Sequence, residues 1–495
     1  MSSSDERGGR PLCLVTGATG YLGARLVPAL LADGYRVRCL VRDPDKLRGV
    51  PWAGNVELVT GDVLDRGSMR AACAGVDTFY YLVHSLTVRG FASVDRRAAL
   101  VTAEAARGAG VRRIVYLGGL HPDSGDGELS EHLGSRAEVG EIFLRSGVPS
   151  VVLQAAVIIG SGSASFEMLR YLTERLPVMV TPSWVRSRVQ PIAVRDVLHY
   201  LVAAPTLPDG VNRSFDIGGP DVLSYREMMQ RYAAVAGLPR RRMLPVRLLT
   251  PKLSSHWLNI VTPVPRSVGA PLIESLVHDA VRGEHDIDAL VPPPEGGLIG
   301  YERSVQLALA SITRGEGAPR WGHSSAELPS DPLPSDPLPS DPLPSDPDWS
   351  GGTAYVDVRD RRTSASRTGL WRAVEGVGAA WGWPVESVEE GRTIRLRPGL
   401  RIPGRAWLEL GVRQRDPTGR GGPGAAYHQR AIFVPRGLAG HLCWWAGAPL
   451  RGVVLGGLAR AVVRGAEGER GAEGERGAEG ERGAEGARAR DGAAR

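Results

Sequence analysis

The strongest chemical signal in the chain is the run Val15-Thr16-Gly17-Ala18-Thr19-Gly20-Tyr21-Leu22-Gly23. It lies between a β-branched stretch and a helical pattern. Gly17 permits a tight turn, Gly20 lets backbone approach a pyrophosphate, and Gly23 lets helix pack on strand. The helix start then offers N–H groups and a positive dipole end, which suits an anion. Ala18, Thr19, Tyr21 and Leu22 complete the expected cradle. An ordinary glycine turn is the bland reading, and the strand before, the helix after and the further βα units favour the dinucleotide one.

A dinucleotide site reads the ribose about 20 residues further on. There the chain holds Val41-Arg42-Asp43-Pro44. The Arg42 guanidinium suits a 2′-phosphate through paired hydrogen bonds, whereas Asp43 would serve NAD. NADP(H) is favoured over NAD(H), with a solvated loop arginine as the bland reading of Arg42. In Gly61-Asp62-Val63, Asp62 can accept from an adenine amino group or cap the next helix.

These residues need a parallel sheet to hold them. Strands are predicted at Leu12–Thr16, Arg36–Val41, Val56–Thr60, Thr78–Val83, Arg113–Leu117 and Ser150–Ala155. Helical patterns at Tyr21–Ala32, Arg66–Ala74, Ser93–Gly108 and Ser130–Ser146 alternate with them. Such alternation is the signature of an α/β, Rossmann-type, doubly wound parallel sheet. The pattern loosens after Ala155, where a substrate lobe is expected.

Composition bounds the rest. With 42% hydrophobic and 23% charged residues in 495, the chain is globular. Residues 1–10 are polar and disordered by expectation, 11–326 form the nucleotide-binding domain with its lobe, and 327–350 are a proline-rich linker. A smaller α+β domain follows at 351–463, and 464–495 repeat a small-residue hexapeptide expected to be disordered. No uncharged apolar stretch reaches the roughly 18 residues of a spanning helix. Met1–Arg10 has no apolar core of a secretory signal. Cys13, Cys39, Cys73 and Cys443 lack metal-ligand or disulfide-scaffold spacing. A reduced, cytoplasmic protein without a metal is expected. The net charge of +6 is not clustered, the densest run being Arg240–Arg242, so nucleic acid is set aside as a partner. Arg451, Arg460 and Gly456-Gly457 within the apolar segment His441–Val463 read as a buried strand and packed helix, which sets membrane contact aside.

Thr-Gly-Ala-Thr-Gly-Tyr-Leu-Gly, Gly61-Asp62-Val63 and Tyr80-Tyr81-Leu82-Val83-His84-Ser85 together resemble the atypical short-chain dehydrogenase/reductases. The NmrA-like, NAD(P)H-binding branch, which includes relatives of the complex I 39 kDa subunit, is the nearest in pattern. The resemblance spans about residues 11–315, with Gln190-Pro191-Ile192-Ala193-Val194-Arg195-Asp196-Val197 matching a segment that precedes a helix. It implies a nicotinamide dinucleotide, with Val83 and His84 beside the nicotinamide ribose.

Chemistry at that nicotinamide departs from the wider superfamily. Its reductases use a tyrosine and, four residues on, a lysine that lowers the phenol's pKa. Lys46 and Lys252 are the only lysines, preceded at that distance by Arg42 and Leu248, so the dyad is absent. By resemblance His132 stands in the tyrosine's place and Arg136 in the lysine's, either as catalytic residues or as polar helix surface. Leu117-Gly118-Gly119-Leu120-His121 also lacks the superfamily's serine. Two functions follow: an NADP-dependent oxidoreductase on a small substrate, or a non-catalytic NADP(H)-binding redox sensor or assembly factor.

In 351–463, strand-like runs at Thr353–Arg359, Thr393–Arg397, Ala406–Val412, Gln429–Val434 and Leu442–Ala446 accompany helical patterns at Leu370–Trp381 and Val454–Val463. Ile402–Leu410 and Phe433–Gly440 resemble a bacterial domain of unknown function that follows NmrA-like domains, implying a helix-grip architecture. This copy is short after Trp383, so an aromatic core without a ligand is as natural a reading as a cavity.

Overall fold

The computed structural model describes residues 10–468, apart from 49, 87, 89, 122–128, 182, 246–261, 263, 316–354, 381, 398, 400–401 and 415–424. The proline repeat and the tail beyond 468 lie outside the described residues. Two compact units divide the chain, Met1–Gly352 and Thr353–Arg495.

In the first unit seven parallel strands form one sheet: β1 Leu12–Thr16, β2 Arg36–Val41, β3 Glu57–Thr60, β4 Thr78–Tyr81, β5 Arg113–Gly119, β6 Ser150–Ala155 and β7 Arg213–Ile217. Their order is β7-β6-β5-β4-β1-β2-β3. Alternate residues feed two cores. Cys13, Val15 and Tyr80 face the layer of helices α1 (Gly23–Ala32) and α6 (Val194–Ala203), whereas Leu14, Phe79 and Tyr81 face α2 (Arg66–Cys73), α3 (Phe91–Gly108) and α4 (Glu131–Leu144). Burial on both faces explains why the strands read as continuous apolar runs.

A third core underlies the lobe. Here α5 (Ala164–Arg175), α7 (Tyr225–Val235), α8 (Arg266–Ser275) and α9 (Tyr301–Gly315) gather around Phe166, Leu169, Met228, Tyr232 and Val305. Buried charge inside it is paired: Arg170 bonds Glu167 at 2.6 Å and Glu174 at 3.2 Å.

Three differences from the sequence expectation bear on this sheet. β4 stops at Tyr81, two residues early, because the chain peels from the sheet against the glycine turn. β5 runs on through Gly119. β7 was absent from the expectation, since Arg-Ser-Phe-Asp-Ile carries the polar alternation of an edge strand.

The second unit is a five-stranded antiparallel sheet of β8 (Tyr355–Thr363), β9 (Val385–Glu389), β10 (Thr393–Leu396), β11 (Gly404–Gln414) and β12 (Ala425–Pro435), in the order β8-β12-β11-β10-β9. One face packs α10 (Arg367–Ala380) and the long α12 (Ala448–Gly468) around Leu370, Leu396, Leu410, Tyr427 and Leu458. Its polar members are satisfied internally: Tyr427 donates to Gln429 at 2.9 Å, and Gln429 donates to the Leu455 carbonyl. The predicted strand Leu442–Ala446 is instead the end of a helix, α11 (Gly437–Ala446). Gly437, at φ +62, turns the chain out of the sheet after Pro435, and Gly440 then passes too close to the Pro403 carbonyl to admit a side chain. The expected boundary at 463 also moves. α12 continues to Gly468, burying Ala466 and pairing Glu467 with Thr363 at 2.8 Å.

Arg113 ties the sheet to the chain that leaves α6. Buried at the start of β5, it donates to the carbonyls of Ala204, Pro205, Leu207 and Pro208 just beyond α6. Arg113→Met should strand these acceptors and lower the first unit's stability by about 2–4 kcal/mol. Chemical denaturation measures it, and an unchanged midpoint would contradict the assignment.

Candidate functional site

In a parallel sheet every strand ends at the same edge, where ligands of open α/β folds bind. The exits of β1, β4 and β5 are adjacent there, and they carry the glycine turn, Val83–His84 and Gly118–Gly119.

At the glycine turn the three glycines have different causes. Gly17 has φ +77, and a Cβ on it would lie 2.5 Å from the Leu82 carbonyl oxygen. On Gly23 a Cβ would lie 2.2 Å from the Gly17 carbonyl oxygen. Protein contacts alone demand those two. Gly20 has only the Gly17 oxygen, at 3.2 Å, so what keeps it bare faces outward. Leu22 begins α1 without a side-chain acceptor and without an acid in the first turn, which leaves the positive helix end open to an anion.

Two residues missed in the sequence brace this turn. Arg25 is buried, stacks on the Tyr21 ring at 4.2 Å, and donates to the carbonyls of Tyr21 and Ser161. Gly160 gives the Tyr21 hydroxyl its space, because a Cβ there would sit 2.2 Å from it. An arginine one turn into a helix offers no sequence signal beyond its polarity.

After β2, exposed Asp43 folds back on its own loop, accepting from the Asp45 N–H at 3.1 Å and capping the short helix Pro44–Leu47. Arg42 is exposed and makes no hydrogen bond or ion pair among the described residues. After β3, Asp62 accepts from the Leu64 N–H at 2.9 Å. The cap of α2 is Asp65, which accepts from Ser68 at 2.7 Å, so that role is not Asp62's. Val63 and Val83 are half-buried beside these turns.

The β4 and β5 exits meet through Arg136. Its guanidinium donates to His84 Nε2 at 2.7 Å and to the Leu117 carbonyl at 2.6 Å. The Ser85 N–H donates to buried Asp95 at 3.0 Å, which fixes the segment carrying His84. Gly119, in the β5 exit that lacks the superfamily's serine, abuts the Arg136 stem: a Cβ would meet Arg136 Cδ at 3.4 Å and Leu133 at 3.0 Å. The arginine fills the space a larger residue would need.

His132 lies 6.4 Å from His84, ring to ring and nearly parallel, but is held by the lobe. Its Nδ1 is 3.0 Å from the Ser275 hydroxyl, which also contacts Ser130 at 2.9 Å and donates to the Pro271 carbonyl. A hydroxyl has one proton to give. Ser275 therefore accepts from His132, assigning that ring's proton to Nδ1 and leaving Nε2 as an acceptor. His84, accepting from Arg136 at Nε2, carries its proton on Nδ1 by the same logic.

Burial first, and then the Arg136 cation, push His132 down to about 3. Loss of solvent and then the same cation push His84 down to about 3. His132 is the third and smallest cause. Both imidazoles are neutral at physiological pH. Among the described residues, no three His, Cys, Asp or Glu converge as a metal site.

Residues 17–141 match the NAD(P)H-binding family. Over 314 residues the chain is 33% identical to the ceramide reductase of Caulobacter vibrioides, covering 61% of this chain and 95% of that protein. The chain belongs to the NmrA-like, NAD(P)H-binding branch of the atypical short-chain dehydrogenases. Another reductase in reach is the (4-alkanoyl-5-oxo-2,5-dihydrofuran-3-yl)methyl phosphate reductase of Streptomyces griseus, 32% identical over 239 residues, 46% of this chain and 76% of that one. Among solved structures, the Citrobacter sp. triphenylmethane reductase complexed with NADP(H) is 20% identical over 60% of this chain and 99% of that chain, with a TM-score of 0.48.

For this NmrA-like chain the neutral His132 has a pH consequence. Its folded pKa lies below the unfolded value near 6.5, so the folded state binds fewer protons. The stability gained by keeping it neutral is complete above about pH 6.5 and declines as pH falls toward 3. The stability difference between wild type and His132→Gln should therefore narrow or reverse between pH 7 and pH 5, measured by denaturant titration. A difference independent of pH would contradict it.

Proposed function

We propose that the first unit is an NADPH-preferring oxidoreductase acting on a small apolar carbonyl compound, with His84 and Arg136 replacing the missing Tyr/Lys dyad. The observation that carries this reading is the 2.7 Å hydrogen bond from Arg136 to His84 Nε2 at the shared sheet edge. The glycine cradle fits a dinucleotide: Gly17–Gly23 and the uncapped start of α1 would hold the pyrophosphate. Arg42, with Asp43 occupied by its own loop, would meet a 2′-phosphate, and Asp62, Val63 and Val83 would line the adenine and nicotinamide ends. When bound, the dinucleotide supplies hydride.

The chain's own residues then handle the charge. Arg136 holds His84 in one tautomer, so Nδ1–H would donate a hydrogen bond to the carbonyl oxygen as negative charge develops on it, and the proton that completes the alcohol would come from solvent. A neutral imidazole polarising a carbonyl is an established strategy. His132, with its proton turned to Ser275, is the less suited donor and serves as an acceptor that orients substrate. A single neutral donor next to a fixed cation places positive potential where a ribose hydroxyl and an oxyanion both need it.

The relatives' names cover a ceramide and a phosphorylated furanone, so no substrate is carried over. The absent Tyr/Lys dyad favours a second reading, a non-catalytic NADP(H)-binding redox sensor or assembly factor. Calorimetry with the full chain addresses the cofactor. NADPH should bind more tightly than NADH, and Arg42→Ala should remove most of that preference. Gly20→Ala should cost under about 1 kcal/mol of stability but weaken both cofactors at least tenfold, whereas Gly23→Ala should cost roughly 2–4 kcal/mol. Equal affinity for the two cofactors in the wild type would refute the Arg42 argument.

Steady-state reduction of a carbonyl panel addresses catalysis. His84→Gln or Arg136→Met should lower kcat by about 10²–10³ with NADPH affinity kept. His132→Gln should raise KM more than it lowers kcat. Because neither histidine titrates near neutrality, kcat should stay flat from about pH 5 to 8. A rise in kcat as pH falls through 6.5 would identify a charged imidazole acid instead. Tight NADPH binding without reduction of any acceptor would favour the sensor reading.

A further inference from the structure

Between Gly437 and Ala459 every exposed residue is apolar. Six are large: Leu438, Leu442, Trp445, Leu450, Val453 and Val454, with Trp445 65% and Leu450 and Val453 each 70% exposed. They line the outside of a corner where α11 and α12 meet at 61°. An outward row of this kind has no role in the core, which α12 reaches only from Leu455 onward.

The corner is held rigidly from within. Trp444 stacks on Tyr355 at 5.2 Å and on Phe433 at 5.7 Å. The Arg451 guanidinium lies 3.4 Å from the centre of the Trp444 ring and donates to the Trp444 carbonyl. That anchoring prevents Trp445 and Leu442 from rotating inward to hide their side chains. The arginine that argued in the sequence against a membrane surface is thus folded back into the unit.

Charge then selects the occupant. Residues 417–466 contain six arginines and no aspartate or glutamate. Exposed Arg436 and Arg460 stand at the two ends of the apolar row. A second copy of the chain would bring the same cations against one another, whereas lipid phosphates would neutralise them. Tryptophan beside aliphatic side chains, flanked by arginine, suits the boundary between headgroups and acyl chains. Among the described residues no single helix is long and apolar enough to cross a membrane, and because α12 gives Leu455, Leu458 and Val462 to the core, the bent pair is assigned to the surface.

We propose that the α11–α12 corner docks this protein on an anionic lipid bilayer, with Trp445, Leu450 and Val453 entering the headgroup layer. The test is co-sedimentation of the full chain with vesicles of phosphatidylglycerol and phosphatidylcholine, or of phosphatidylcholine alone. The protein should sediment with the anionic vesicles, and binding should fall roughly tenfold or more on neutral ones. Leu450→Asp/Val453→Asp should lose binding to a similar degree, and these exposed sites leave the core intact. Val385→Asp/Val388→Asp, exposed on β9 of the same unit, should bind as wild type does. Failure to sediment, equal binding to both lipids, or full binding by Leu450→Asp/Val453→Asp would each overturn the proposal. So would a lipid-free dimer that the Leu450→Asp/Val453→Asp variant converts to monomer, which would assign the corner to a second copy.

Discussion

The first unit is organised by a contact with no room for a methyl group. Gly17 faces the Leu82 carbonyl, and Gly23 faces the Gly17 carbonyl, each at a distance a Cβ would violate. The turn after β1, the start of α1 and the exit of β4 are thereby locked together. With β4 ended at Tyr81, the chain leaves the sheet beside the turn and brings Val83 and His84 to the edge where a dinucleotide would lie. The same geometry that exposes the start of α1 to an anion therefore also sets the position of His84, which the proposed function puts beside the nicotinamide.

Loss of the tyrosine and lysine at such a site would ordinarily remove both proton donor and cation. In the proposed site Arg136 would keep the cation, and its reach from α4 to the Leu117 carbonyl uses the space left by Gly119. A guanidinium can hold a carbonyl and an imidazole at once because its donors diverge in a plane, which an ammonium does less well. His84 comes from the β4 exit, whereas by resemblance the tyrosine's place is His132 on α4. The substitution is one of geometry rather than of sequence position.

Much of the frame was legible because the sheet is covered on both sides. β1, β5 and β6 read as apolar runs and β4 as an aromatic one, and the glycine spacing named the turn. What the sequence hid follows from chemistry that periodicity does not encode. Arg136 meets His84 across 52 positions, and His132 meets Ser275 across 143, so neither pairing has a local signature. β7 carries a polar alternation typical of a sheet edge. The run Leu442–Ala446 is rich in residues that favour strands, yet a left-handed Gly437 and the stacking of Trp444 on Tyr355 and Phe433 fold it as helix.

The central claim is that His84 and Arg136 complete a hydride-transfer site. Its most direct test uses NADPH deuterated on the reactive carbon of the nicotinamide, one face at a time, in single turnover with a reducible carbonyl. The account predicts that wild-type protein transfers deuterium from one face only. It further predicts that His84→Gln binds the cofactor equally well but transfers deuterium about a hundredfold more slowly. Transfer at the wild-type rate by His84→Gln would contradict it.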